Sequence, residues 1–177
     1  KDVGTLQEYW KANIELTEEY PPIDLYDKDW VIHTRSQELP PVKLGKNNDV
    51  IKSLISNGCI IDGRVENCVI SPGVVIEEGA VVKNSIVFNN TIIRKDSVID
   101  RTIIDKDVII EKNCRIGVGD DYAPNKEEPA KLYTGINLIG KFAYIPEGTF
   151  IERNCRIMSR VESCDYETRR IKSGETV

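Results

Sequence analysis

The chain has 177 residues, 40% hydrophobic and 30% charged, the balance of a globular domain with an attachment. Its formal charge of −5 gives broad nucleic-acid or anionic-membrane binding no electrostatic support, and no apolar run approaches a membrane span. The opening KDVGTLQEYW lacks the apolar core of a signal peptide, and five cysteines, an odd number, then suit a reduced cytoplasmic setting.

The opening also lacks an initiator Met, so the chain reads as a fragment or a processed product. Over residues 3–15, Leu6, Tyr9, Trp10 and Ile14 recur near helical spacing, continued by Leu16. Thr5 is the expected N-cap. Pro21-Pro22 ends that helix. Residues 23–50 carry Pro40-Pro41 and no sustained period, and read as an extended connector laid over a surface. Residues 1–50 are taken as one unit.

From residue 51 the pattern changes. A small or slim residue, any residue, then Ile or Val recur as Cys59-Ile60-Ile61, Cys68-Val69-Ile70, Ser85-Ile86-Val87, Thr102-Ile103-Ile104 and onward to Cys155-Arg156-Ile157. The spacing is mostly six and sometimes five, with a shorter step from 61 to 65. A helix of 3.6 residues per turn cannot keep such a period on one face. Short β-branched runs ended by Gly, Asn and Asp suit short strands and tight turns. Three strands per coil predict a mainly β protein, a triangular prism of stacked parallel strands over residues 51–163. The first and third residues of each triplet point inward, and the middle one outward.

That register places Cys59, Cys68, Cys114 and Cys155 inside as small hydrophobes. No C-x-x-C spacing supports zinc. Residues 117–135, rich in charge, Gly and Pro, read as a loop projecting from one corner. Residues 164–177 read as a tail with a basic stretch at Arg169-Arg170-Ile171-Lys172. Cys164 receives no role. Coils step by about 17 residues in this register. Triplets ending at 70, 87 and 104 therefore share a face, joined by 139 if the loop leaves the register unshifted. The outward residues Val69, Ile86, Ile103 and Leu138 form one apolar face, and Val75, Ile92, Ile109 and Tyr144 another. β-propensity alone is one reason for them. Cover by the N-terminal connector, a further domain or a second subunit is the other.

The six-residue pattern resembles the hexapeptide-repeat proteins, and the expected left hand of this parallel β-helix comes from that resemblance, since general crossover rules favour the right hand. Many such proteins transfer acyl groups with a catalytic His at a coil boundary. Here the single His, His33, lies in the connector, which counts against an acyltransferase.

Further strings are more specific. Asp2-Val3-Gly4-Thr5, Tyr9-Trp10-Lys11-Ala12-Asn13, Asp24-Leu25-Tyr26-Asp27-Lys28-Asp29-Trp30, Leu39-Pro40-Pro41-Val42-Lys43 and Ser53-Leu54-Ile55-Ser56-Asn57-Gly58-Cys59 resemble the end of the catalytic domain, the connector and the β-helix entry of the glucose-1-phosphate adenylyltransferase family. The resemblance implies a parent that joins ATP and glucose 1-phosphate into ADP-glucose and pyrophosphate, the committed step of glycogen or starch synthesis. The nucleotidyltransferase domain itself is absent from the sequence, so the chain alone is expected to be inactive. The resemblance gives the β-helix a part in assembling a homo-oligomer, a tetramer in the parent, and in binding allosteric effectors. It also implies Mg²⁺ in the parent, with Asp2 as one of two carboxylate ligands; no cofactor is expected for the chain alone.

The same family has a basic residue at the position of Lys106, where anionic effectors bind, usually phosphorylated sugars as activators and adenine nucleotides or phosphate as inhibitors. The register adds Lys141. Gly140-Lys141 is expected one coil above Asp105-Lys106, about 4.8 Å away, so that the two ammonium groups can share a phosphate. A hexapeptide acyltransferase, a plain β-helix binding module and a non-catalytic paralogue subunit remain alternatives.

Overall fold

The computed structural model describes residues 3–30, 32 and 37–177. Asp2 and His33 lie outside the described residues. Helix α1 spans Leu6–Ile14, and Thr5 caps it by accepting the Glu8 N–H at 3.2 Å on its Oγ1. A 3₁₀ turn, Glu15–Thr17, extends it.

Short parallel strands then wind into a prism with three faces of six, seven and six strands. Face A runs from Lys43–Leu44 through Ile60–Ile61, Val75–Ile76, Ile92–Ile93 and Ile109–Ile110 to Tyr144–Ile145. Face B runs from Asp49–Ile51 to Arg170–Ile171, and face C from Leu54–Ile55 to Arg156–Ile157. The coil length follows from its corners. Val82, Val87, Ile93 and Ile99 point inward in succession, so steps of five, six and six residues make each 17-residue coil. The five-residue corners turn through positive φ at Asn67, Asn84 and Arg101, a conformation Asn reaches at little cost. The short step from Ile61 to Val65 needs Gly63, because a Cβ there would meet the Ala80 carbonyl.

Inside, Ile61, Ile76, Ile93, Ile110 and Ile145 stack on one wall, and Cys59, Cys68, Cys114 and Cys155 fill the narrow positions, all buried. Burial pushes the Cys68 and Cys155 thiols up to about 12. Cys164 is the one exposed thiol. Val161, Tyr166 and Val177 close the top of the prism. At the base Leu44 remains 53% exposed.

Three sequence-based boundaries change. The coil starts before residue 51: Lys43–Leu44 pairs with Ile60–Ile61, and Asp49–Ile51 with Arg64–Glu66. Pro40-Pro41 hid this, yet prolines are harmless on an edge coil, where the Pro40 carbonyl needs only to accept the Gly58 N–H, at 2.7 Å. Residues 164–177 are no free tail. Arg170–Ile171 pairs with Phe150–Ile151, and Thr176 bridges to Arg156. The segment 117–135 does not project; it folds back along the corner. Asn125, Leu132, Ile136 and Asn154 are buried there. Asn154 donates to the Tyr122 and Ala123 carbonyls and accepts the Gly135 N–H at 2.6 Å. The insertion leaves the register intact, with Ile104 paired to Ile139.

Helix α1 lies on face C. It packs Leu6, Tyr9, Trp10 and Ile14 against Ile86, Ile103 and Leu132. The Trp10 indole N–H donates to the Asn84 carbonyl at 2.8 Å, and the Arg101 guanidinium lies 4.6 Å from the Trp10 ring centre. One apolar face therefore has its cover, from α1 and not from the connector. On face A, Ile60 is 43% exposed and the residues above it are half-buried. The connector is not laid over the prism throughout: Tyr20, Tyr26 and Trp30 are exposed.

Candidate functional site

The turns between faces C and A stack into a column. Each repeats one geometry: Asn90, Asp107, Phe142 and Arg160 all have φ between 57° and 64°. Main-chain bonds join them coil to coil. The Asp107 N–H donates to the Asn89 carbonyl at 2.9 Å, Phe142 N–H to Lys106 at 3.1 Å, and Arg160 N–H to Lys141 at 2.9 Å. Lys106 and Lys141 thus stand in neighbouring coils at equivalent places, the juxtaposition that the repeat register predicts.

Their side chains differ in setting. The Lys141 ammonium leans 4.4 Å from the Phe142 ring centre and makes only a long pair to Asp107, at 4.0 Å. No carboxylate among the described residues pairs with the Lys106 ammonium. The Lys106 backbone N–H donates to its neighbour Asp105 at 2.8 Å. Arg160, one coil higher, places its guanidinium 5.4 Å from the centre of the same Phe142 ring. Three cations therefore stand at one corner together with the Asp107 carboxylate, which accepts a hydrogen bond from the Asn90 amide at 3.0 Å. Such a column can hold an anion in solvent reach. Sequence reasoning missed Arg160 because Met158-Ser159-Arg160 carries no triplet; its signal was its place one coil above Lys141.

Phe142 at φ 61° is costly for a bulky residue. Asn adopts that conformation more easily. Phe142→Asn is expected to raise unfolding stability by about 1 kcal/mol. Chemical denaturation of the variant measures the gain.

Beside the column, on face C, lies a pocket of 430 Å³. Its rim uses Asp105, Gly140 and Ser159, the residues immediately before Lys106, Lys141 and Arg160, and Tyr9 closes it from α1. Burial raises the Tyr9 hydroxyl above its ordinary range; the Asn13 side chain opposes this and the nearby Asp105 carboxylate adds to it.

A family model for the GlmU-like C-terminal hexapeptide matches residues 40–139, more than half of the chain. The chain belongs to the GlmU-like C-terminal hexapeptide family. This membership and the observed parallel coil together make the prism the left-handed β-helix anticipated from the six-residue pattern. Outside the hexapeptides the likeness continues. Glucose-1-phosphate adenylyltransferases of Pseudothermotoga lettingae and Thermomicrobium roseum are each 48% identical over all of this chain, and that of Acetivibrio thermocellus 34%. The chain spans about two-fifths of their length: 42% of the first two and 41% of the third. Within this hexapeptide domain no helix is long and apolar enough to cross a membrane among the described residues.

Proposed function

We propose that this chain is the regulatory and assembly end of a cytoplasmic glucose-1-phosphate adenylyltransferase, and that its corner of Lys106 and Lys141 binds the anionic group of an allosteric effector. The observation that carries the effector reading is the stacking of two lysines, one without a carboxylate partner, at equivalent turns of adjacent coils. Similarity along the whole of this chain to the C-terminal two-fifths of adenylyltransferases supports the parent activity: ATP and glucose 1-phosphate to ADP-glucose and pyrophosphate. That chemistry belongs to the larger protein. Among the described residues no group of three His, Cys, Asp or Glu side chains is placed to hold a metal ion. Mg²⁺ held by Asp2 and a second carboxylate is proposed for the parent, and no step here depends on it.

The chain's own part is coupling. Tyr9 of α1 and the corner turns bound one pocket, and α1 follows directly on Asp2-Val3-Gly4-Thr5. An anion that draws Lys106 and Lys141 together biases how α1 sits on face C. Effector coupling of this kind is typically about 1–3 kcal/mol. The same reading gives the half-buried residues of face A a role in the homo-oligomer.

In the full-length protein, Lys106→Gln with Lys141→Gln is expected to weaken phosphate binding about 100-fold, as two charge-assisted bonds are lost. The response of the rate to a phosphorylated sugar should disappear with it. An undiminished response in the double variant sinks the reading.

A further inference from the structure

The turns between faces B and C stack into a second column, distinct from that of Lys106 and Lys141. Asn67 and Asn84 hold equivalent places in it, one coil apart and both at positive φ. Their side chains form a ladder. The buried Thr17 hydroxyl, in the 3₁₀ turn that follows α1, donates to Asn67 Oδ1 at 2.9 Å. Asn67 Nδ2 donates to Asn84 Oδ1 at 2.9 Å, and Asn84 Nδ2 to Asp100 Oδ1 at 2.8 Å. The other Asp100 oxygen accepts from Arg153 at 3.0 Å, and Arg153 Nε donates to the Gly119 carbonyl at 3.3 Å. A continuous run of side chains thus joins the end of α1 to the 117–135 segment.

A side-chain amide has an oxygen at one end and an NH₂ at the other, so a ladder of amides can run in only two directions. The Asp100 carboxylate accepts and cannot donate. It makes Asn84 turn its NH₂ towards it, Asn67 follows, and the remaining Asn67 oxygen claims the Thr17 hydroxyl proton. That proton has a second acceptor, the Ile14 carbonyl at 2.7 Å, in the last turn of α1. One proton faces two acceptors, and the direction of the ladder decides between them. We infer that Asp100, clamped by Arg153, sets the direction of this ladder and so links the 117–135 segment to the last turn of α1. Coupling between distant segments needs an element with two discrete arrangements, and the two directions supply it. This link does not depend on the lysine corner being an anion site.

The test moves the carboxylate from one end of the ladder to the other and follows the exchange of the α1 amides in the full-length protein by mass spectrometry. Asp100→Asn lets every amide turn over with all groups still partnered, so exchange should change by about fivefold at most. Asn67→Asp alone puts a carboxylate at both ends of Asn84, whose single NH₂ serves only one of them. Exchange of α1 should then speed up about thirtyfold. The backbone tolerates the change, since Asp also adopts positive φ. Asn67→Asp with Asp100→Asn restores an unbroken ladder in the reverse direction, and exchange should return to the level of Asp100→Asn alone. If Asn67→Asp does not fold by itself, the return of folded protein in the double variant is the same rescue. The rescue should persist at high salt, which screens simple relief of like charges. Effects that multiply in the double variant, a rescue that vanishes at high salt, or an α1 indifferent to Asn67→Asp overturns the inference.

Discussion

Asn154→Ala is expected to cost about 3–4 kcal/mol of unfolding free energy, a large effect for one surface-proximal corner. Asn154 is fully buried and sits at φ 58°, where Ala is strained and Asn is not. Its side chain bonds the Tyr122 and Ala123 carbonyls and the Gly135 N–H. Alanine leaves the buried Gly135 N–H without a partner, worth about 1–3 kcal/mol, and adds about 1 kcal/mol of backbone strain. The 117–135 segment would then rest on Asn125, which donates to the Asn154 carbonyl at 3.2 Å, on the Ser173 hydroxyl, which donates to the Asp121 carbonyl at 2.7 Å, and on the Lys126 N–H, which donates to the Gly174 carbonyl at 2.8 Å. Urea denaturation reads the loss, and limited proteolysis should find new cleavage within 117–135. A loss below about 1 kcal/mol for the alanine variant would show that the segment is not anchored through this residue.

Trp10→Ala should free α1 from face C. A nine-residue helix is too short to persist alone in water. Its order depends on the Trp10 bond to Asn84, on the stacking with Arg101 and on the apolar contacts of Leu6, Tyr9 and Ile14. Removing the indole forfeits a bond, a cation–π contact and most of a large side chain, together about 3–4 kcal/mol. The prism keeps its own core of stacked Ile and Val, so it should remain folded. Circular dichroism is expected to lose the helical contribution while the cooperative β-helix transition persists. If helix and prism instead melt together at an unchanged midpoint, docking does not depend on Trp10. If the corner takes an effector as proposed, the same variant of the full-length protein should also lose the coupling of effector binding to the rate, because α1 lies against that corner.

The two predictions concern regions that the sequence disclosed unequally. Thr5 and the apolar residues of α1 announce a helix by themselves, and the helix formed where expected. Its docking partner did not show. The Val69, Ile86, Ile103 and Leu138 stripe signals that something covers face C, without saying that Trp10 reaches the Asn84 carbonyl. Asn154 was legible only as part of a turn before Cys155, since a buried Asn is recognised by the carbonyls around it. The same holds for Leu132, one apolar residue among charges, with no period to betray it.

The candidate site divides likewise. Lys106 came from the family resemblance, and Lys141 from counting coils across the insertion; the intact pairing of Ile104 with Ile139 puts them in adjacent turns. Arg160, Phe142 and the pocket with Tyr9 and Ser159 required the fold, because they meet across coils separated by loops of unequal length.

By itself, the sequence determined the prism, its register and the inward cysteines, because a β-helix writes its core in a local period that each coil repeats. Only the tertiary structure decided where the coils begin and end, what covers face C and which charges share a corner. Those outcomes rest on contacts between residues far apart in the chain, whose partners carry no common spacing for a sequence pattern to reveal.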